Sequence, residues 1–152
     1  MKIIRLSLNN LASLAGTHDI HFEENPLAQA GLIAITGKTG AGKSTLLDAM
    51  CLALYDGIPR LPDSDNPRSR RKSTIVDASG QAISINDPKN ILRRGTTSGF
   101  SELEFIALDQ KRYIARWEIR RSRNKVDGNI KVDRFVKCVD DGRVMTQKIT
   151  EC

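Results

Sequence analysis

The sequence is poor in the residues that build several kinds of function. Aromatic residues make up 5% of the 152, too few for the stacked platform that grips unpaired bases. Cysteine occurs three times, at Cys51, Cys138 and Cys152, far apart and with no CxxC pair. That argues against a disulfide framework and against a cysteine-built zinc site. The two histidines, His18 and His21, lie in a strand-like segment with no cysteine nearby and read as surface residues. No apolar run approaches the ~18 residues of a membrane span, and Arg5 interrupts the short apolar start, so a signal peptide is not expected. These absences point to a cytoplasmic protein with no membrane partner.

What is present is an ordinary soluble balance, 39% hydrophobic and 28% charged, in a chain the size of one domain. The net charge of +6 is unevenly spread. Residues 1–56 hold four Lys/Arg against five Asp/Glu, and the remainder holds 20 against 13. The basic excess therefore follows residue 56, which points to a polyanionic partner or to a solvated face.

Residues 2–9 alternate, with Ile4, Leu6 and Leu8 opposite Ile3, Arg5, Ser7 and Asn9, as in a half-buried strand. After a turn at Gly16, Thr17–Phe22 reads as a second strand. The apolar run 31–36, "GLIAIT", bounded by glycines, reads as a fully buried central strand. Residues 44–55 lack proline and glycine and are apolar on nearly every side, with Asp48 the one break. That pattern predicts a helix covered on nearly all sides, ended by Gly57 and Pro59. Residues 58–90 hold Pro59, Pro62, Pro67 and Pro88 and the basic stretch "NPRSRRKS"; a long mobile insertion is expected there. From Phe100 onward, alternating segments separated by Gln110-Lys111, "VDGN" and "DDGR" read as a three- to four-stranded antiparallel meander. The expected organisation is a nucleotide-binding core over 1–57, an insertion over 58–99 and the meander over 100–152.

Residues 37–45, "GKTGAGKST", satisfy the pattern GxxxxGK[ST] through Gly37, Gly42, Lys43 and Ser44, with an apolar run before and a helix after. The first amides of a helix lack backbone partners and point outward, and the helix dipole favours an anion there. Gly37, Gly40 and Gly42 allow the cramped backbone that makes several N–H groups converge on one phosphate. Lys43 then reaches the β- and γ-phosphates of ATP, Ser44 takes one position on Mg²⁺, and Thr45 donates to the α-phosphate. Gly37, Lys38, Thr39, Gly40, Ala41, Gly42, Lys43, Ser44 and Thr45 are the nucleotide-binding set.

Hydrolysis needs more: a carboxylate ending a second buried strand and a group that polarises water. The nearest match, "FIALD" ending at Asp109, lies in an alternating, half-exposed strand that runs into an apparent hairpin tip. No catalytic residue is therefore assigned within the chain. One rival reading is a small self-contained P-loop kinase or phosphotransferase with Asp109 as its metal carboxylate. Another is a nucleotide-binding module with no turnover.

The stretches "LNNLASLAG", "GKTGAGKSTLLDAMCLALY", "ILRRG", "SELEF" and "VDGNIKV" together resemble the N-terminal ATPase segments of the SbcC family, ABC-type SMC-like P-loop ATPases. The resemblance spans nearly the whole chain. It implies an α/β fold: the N-terminal lobe of an ABC/SMC-type head, with an antiparallel β-subdomain and one principal buried helix after the P-loop. It implies that a coiled coil and a C-terminal lobe with the signature motif and Walker B follow in the full protein. It also implies a homodimer of heads that sandwiches ATP and clamps double-stranded DNA, a metallophosphoesterase nuclease partner, a role in double-strand-break repair, and association with the nucleoid. Arg93 and Arg94 fall where relatives carry a basic segment near nucleotide or DNA. Ala12 occupies a position that is often polar or basic in relatives, and its side chain cannot touch a nucleotide. The Q-loop glutamine of the family is absent.

Overall fold

A computed structural model describes residues 1–61 and 74–145. The alternating segments form a six-stranded antiparallel sheet. Its strands are β1 (Lys2–Leu11), β2 (Leu14–His21), β5 (Ser98–Ile106), β6 (Arg112–Arg121), β7 (Ile130–Cys138) and β8 (Val144–Met145), in the spatial order β2-β1-β5-β6-β7-β8. A separate hairpin pairs β3 (Thr74–Val76) with β4 (Ala82–Ser84). The one α-helix among the described residues, α1, runs from Lys43 to Tyr55. It is too short to cross a membrane, and no described helix is long and apolar enough to do so.

Register follows from the two-residue repeat of a strand. One row across the sheet reads Ile20, Leu6, Leu103, Ala115, Val136, and the next reads Leu8, Ser101, Trp117, Arg134. These rows face α1. Leu6, Leu8, Leu103, Ala115, Trp117 and Ile119 are buried there against Ala49, Leu52 and Ala53 of the helix. The small helix residues let the backbone come close. The Ser101 hydroxyl donates to the Ala49 carbonyl at 2.6 Å, and the Trp117 indole N–H donates to Asp56 at the helix end at 2.7 Å. Each large buried side chain contributes about 2 kcal/mol by leaving water.

The opposite face of the sheet is a ladder of ion pairs. Arg5 meets Glu102 at 2.6 Å, Arg116 meets Glu102 at 2.9 Å, and Arg112 bridges Glu104 at 3.3 Å and Glu23 at 3.0 Å. The Arg116 guanidinium also lies 4.0 Å from the Phe100 ring centre. Arg5, Arg116, Glu102 and Glu104 are thus paired across the middle of this face.

Two expectations fail here. Residues 31–36 form no strand, and Leu32 is 90% exposed. A buried parallel strand needs strands on both sides, and every pairing among the described residues is antiparallel, so this run has nothing to join. Second, α1 is buried on one face only. Ala49, Leu52 and Ala53 pack on the sheet and Thr45 and Asp48 are buried beside them, whereas Leu47 is 56% and Tyr55 72% exposed. One sheet beneath a helix covers one stripe of it, so the rest of its apolar surface stays open. Of the expected insertion, residues 62–73 lie outside the described residues. Ile58, Ile83, Ile91 and Leu92 from the flanking parts are buried, and Ile91 ends a single 3₁₀ turn begun by Asp87 and Pro88.

Candidate functional site

Residues 37–45 form an open loop that leads into α1. The backbone takes positive φ at Gly37 (150°), Gly40 (82°) and Gly42 (89°), conformations that cost an L side chain about 1–2 kcal/mol. Gly42 is the helix N-cap. No side chain caps it, and the first turn contains no acid. The leading amides of α1 are therefore left without an internal acceptor, at the positive end of the helix dipole. Residues 37–41 and Ser44 are exposed, Lys43 is half-buried and Thr45 is buried.

The Lys43 side chain folds back over this loop. Its ammonium donates to the carbonyls of Gly37 at 2.6 Å and Lys38 at 2.8 Å. An ammonium has three N–H donors, so two hold the loop in shape and one is left for an oxyanion. The donor set suits a polyphosphate: a fixed ammonium, converging amides, and the hydroxyl of Ser44 as a hard oxygen for Mg²⁺.

Beneath the loop lies the β1–β2 turn. A Cβ placed on Gly42 would sit 2.7 Å from Cδ2 of Leu14, so Leu14 forms the floor under the N-cap. Asn10 and Ala12 in this turn both have left-handed backbones, with φ of 50° and 46°. Arg93 is attached here and not to the open loop. Its guanidinium donates to the carbonyls of Ala12 at 3.1 Å and Ser13 at 2.9 Å. Arg94 is exposed and, with Ala12, Asn90, Leu92 and Arg93, lines a shallow cleft of about 350 Å³. The two adjacent arginines thus take different roles, one tying backbone and one facing solvent.

Asp109 sits at the β5–β6 hairpin tip, where its carboxylate accepts from the Tyr113 hydroxyl at 2.7 Å and the Lys111 amide at 3.1 Å. These bonds, Tyr113 first, hold the Asp109 carboxyl below its ordinary range. The same hydrogen bond, aided by partial desolvation, pushes the Tyr113 hydroxyl up to about 12. Among the described residues no group of three or more His, Cys, Asp or Glu side chains is placed to hold a metal.

Two features were not foreseen from residue order. Asp48, the polar break in a greasy helix, is buried and accepts from Arg60 at 2.6 to 3.1 Å. A buried carboxylate requires a partner, so the charge itself was a signal that some cation must reach it. Leu14 had no signal at all, because its role depends on where Gly42 lies.

A family model described as an AAA domain matches residues 5–151. Among curated relatives, the SbcC component of the SbcCD nuclease from Pseudomonas aeruginosa is 53% identical over 128 residues, which is 84% of this chain and 10% of that protein. The protein of the same name from Rhodobacter capsulatus is 47% identical over 155 residues, covering 99% of this chain and 12% of that protein. The one from Deinococcus radiodurans is 43% identical over 135 residues, 89% of this chain and 12% of its own length. The chain spans about a tenth of the length of these relatives.

Proposed function

Because the chain belongs to the AAA-domain family and matches the N-terminal ATPase segment of SbcC proteins, we propose that residues 37–45 bind Mg-ATP. We further propose that, within the full-length protein, this lobe powers an SbcCD-type nuclease complex that processes double-stranded DNA ends. The observation that carries the reading is the Lys43 ammonium, anchored on the Gly37 and Lys38 carbonyls beside an uncapped helix start.

In this reading the open amides at the start of α1, Lys43 to Thr45, and that of Gly40 would bind the phosphates, while the Ala41 amide donates to the Lys38 carbonyl at 3.2 Å and holds the loop. The free N–H of Lys43 would bond a phosphate oxygen of ATP, and the Ser44 hydroxyl would hold Mg²⁺. The metal supplies charge neutralisation on the phosphates. The lobe binds and orients, and the carboxylate that would activate water comes from the C-terminal lobe. The open apolar side of α1, with Leu47 and Tyr55, and the unpaired run 31–36 support the view that further protein covers this surface.

The DNA part of the proposal is supported by the distribution of charge. The middle of the outer sheet face pairs its charges internally, whereas Arg123, Lys125 and Lys131, which line an open cleft at the β6–β7 end together with Glu118 and Asp127, have no ion-pair partner among the described residues. Cations of this kind suit a phosphate backbone, with salt-dependent binding. The metallophosphoesterase partner and the head-to-head homodimer belong to the same proposal. The kinase alternative is disfavoured because Asp109 caps an antiparallel hairpin, not the end of a buried strand.

Binding of Mg-ATP to the full-length protein, measured by calorimetry, tests the reading. Lys43→Ala should abolish it. Retention of nucleotide affinity in that variant would refute the assignment.

A further inference from the structure

The contacts around Arg93 lead past the nucleotide loop itself. The β1–β2 turn contains two non-glycine residues with left-handed backbones, Asn10 and Ala12. A left-handed alanine is unfavourable on its own and persists only where the surroundings over-determine it. Here they do. The Arg93 amide donates to the Asn10 carbonyl at 3.0 Å, and the Ala12 amide donates to the Ile91 carbonyl at 2.7 Å. The Arg93 guanidinium then closes over the carbonyls of Ala12 and Ser13. The next residue, Leu14, is the one that presses on Gly42, the N-cap of α1. Gly42 is buried, so its position is set by what lies beneath it.

We infer that Arg93 is a positioning residue for the phosphate loop. It fixes the Ala12–Ser13 turn, the turn fixes Leu14, and Leu14 fixes Gly42 and the amides that follow it. The functional consequence rests on the Mg-ATP reading of residues 37–45. The mechanical link from Arg93 to Gly42 does not. Arg93 touches no phosphate in this scheme. Its positive charge is directed at two peptide carbonyls, and it acts through the shape of the loop. Arg94, its exposed neighbour, takes no part.

Two readouts in the full-length protein separate this inference from the reading it builds on. The first is amide hydrogen exchange without nucleotide. Arg93→Ala should raise exchange at least tenfold at residues 46–49, the first hydrogen-bonded amides of α1, where the Leu46 amide donates to the Gly42 carbonyl at 3.1 Å, and leave the β6–β7 amides unchanged. The second is Mg-ATP affinity of the folded variant. It should fall at least tenfold, the size expected from losing even one of the two charge-assisted hydrogen bonds, while Arg93→Lys, which keeps a cationic donor, stays within about threefold of the parent.

Leu14→Ala leaves every hydrogen bond of the turn in place and should reproduce both effects. The double variant Arg93→Ala/Leu14→Ala should be no worse than either single one, because both remove the same support. If Arg93→Ala fails to fold, Leu14→Ala and Arg93→Lys carry the test. Unchanged exchange at 46–49 in both Arg93→Ala and Leu14→Ala overturns the inference. So does strict additivity in the double variant, or a loss of stability at unchanged affinity. Absence of Mg-ATP binding in the parent protein refutes the nucleotide assignment instead, and the exchange result still decides the Arg93 link.

Discussion

Replacing Gly42 by alanine tests two demands that the loop makes at one position. Gly42 has φ of 89°, which costs an alanine about 1–2 kcal/mol in strain. The new Cβ would also stand 2.7 Å from Cδ2 and 3.1 Å from Cγ of Leu14. Leu14 must then swing away, and such overpacking costs about 1–3 kcal/mol. The two effects together predict a loss of about 2–5 kcal/mol. Gly40→Ala is the matched control. Its φ is 82°, and a Cβ there meets nothing within 4 Å, so it should cost the strain alone, about 1–2 kcal/mol. Urea unfolding measures both, with the slope checked to be constant. In a Leu14→Ala background the Gly42→Ala cost should shrink to that of Gly40→Ala. Equal losses at Gly40 and Gly42 in the parent protein, or no relief in the Leu14→Ala background, would refute the claim that Leu14 is the floor of the loop.

Asp109→Asn should leave Mg-ATP binding unchanged while the Tyr113 hydroxyl ionises well below its present value of about 12, followed by ultraviolet absorbance of the phenolate; loss of nucleotide binding would instead revive the kinase reading. Asp77, near the β3–β4 turn, offers a pH test. Burial acts to raise its carboxyl pKa, but hydrogen bonds from Ser79, Arg121 and the amides of Gln81 and Ser79 outweigh it and hold the value below the ordinary 3.8. The folded state thus releases this proton more readily than the unfolded one. Its contribution is full above the ordinary carboxylate value and is lost as pH falls through the lower, native one. Protection factors of the β3–β4 amides, corrected for the intrinsic exchange rate, should therefore fall on acidification below about pH 4, and in Asp77→Asn they should already be low at neutral pH.

The strands were legible because alternation is local: Leu6, Leu103, Ala115 and Trp117 face the core as their spacing requires. The meander was legible for the same reason, down to the hairpin tip at Gln110-Lys111. The helix was legible as a helix but not in its orientation. Leu47 and Asp48 are neighbours; the apolar one is exposed and the charged one buried, because a helix apolar all round does not encode which stripe meets the sheet. The run 31–36 shows the converse limit. Its composition suits a central strand, yet strand formation depends on partners, and none of the described residues supplies them.

Arg93 and Arg94 are the same residue type in adjacent positions. One closes over carbonyls 81 and 80 residues away, and the other faces water. By itself the sequence determined what short spacing can encode: the glycine–lysine loop, the helix that follows it and the two-residue repeat of the sheet. The tertiary structure alone decided which face of α1 is covered, where Asp48 finds its cation and what supports Gly42. Those outcomes depend on contacts between distant segments, whose geometry exists only once the sheet has assembled.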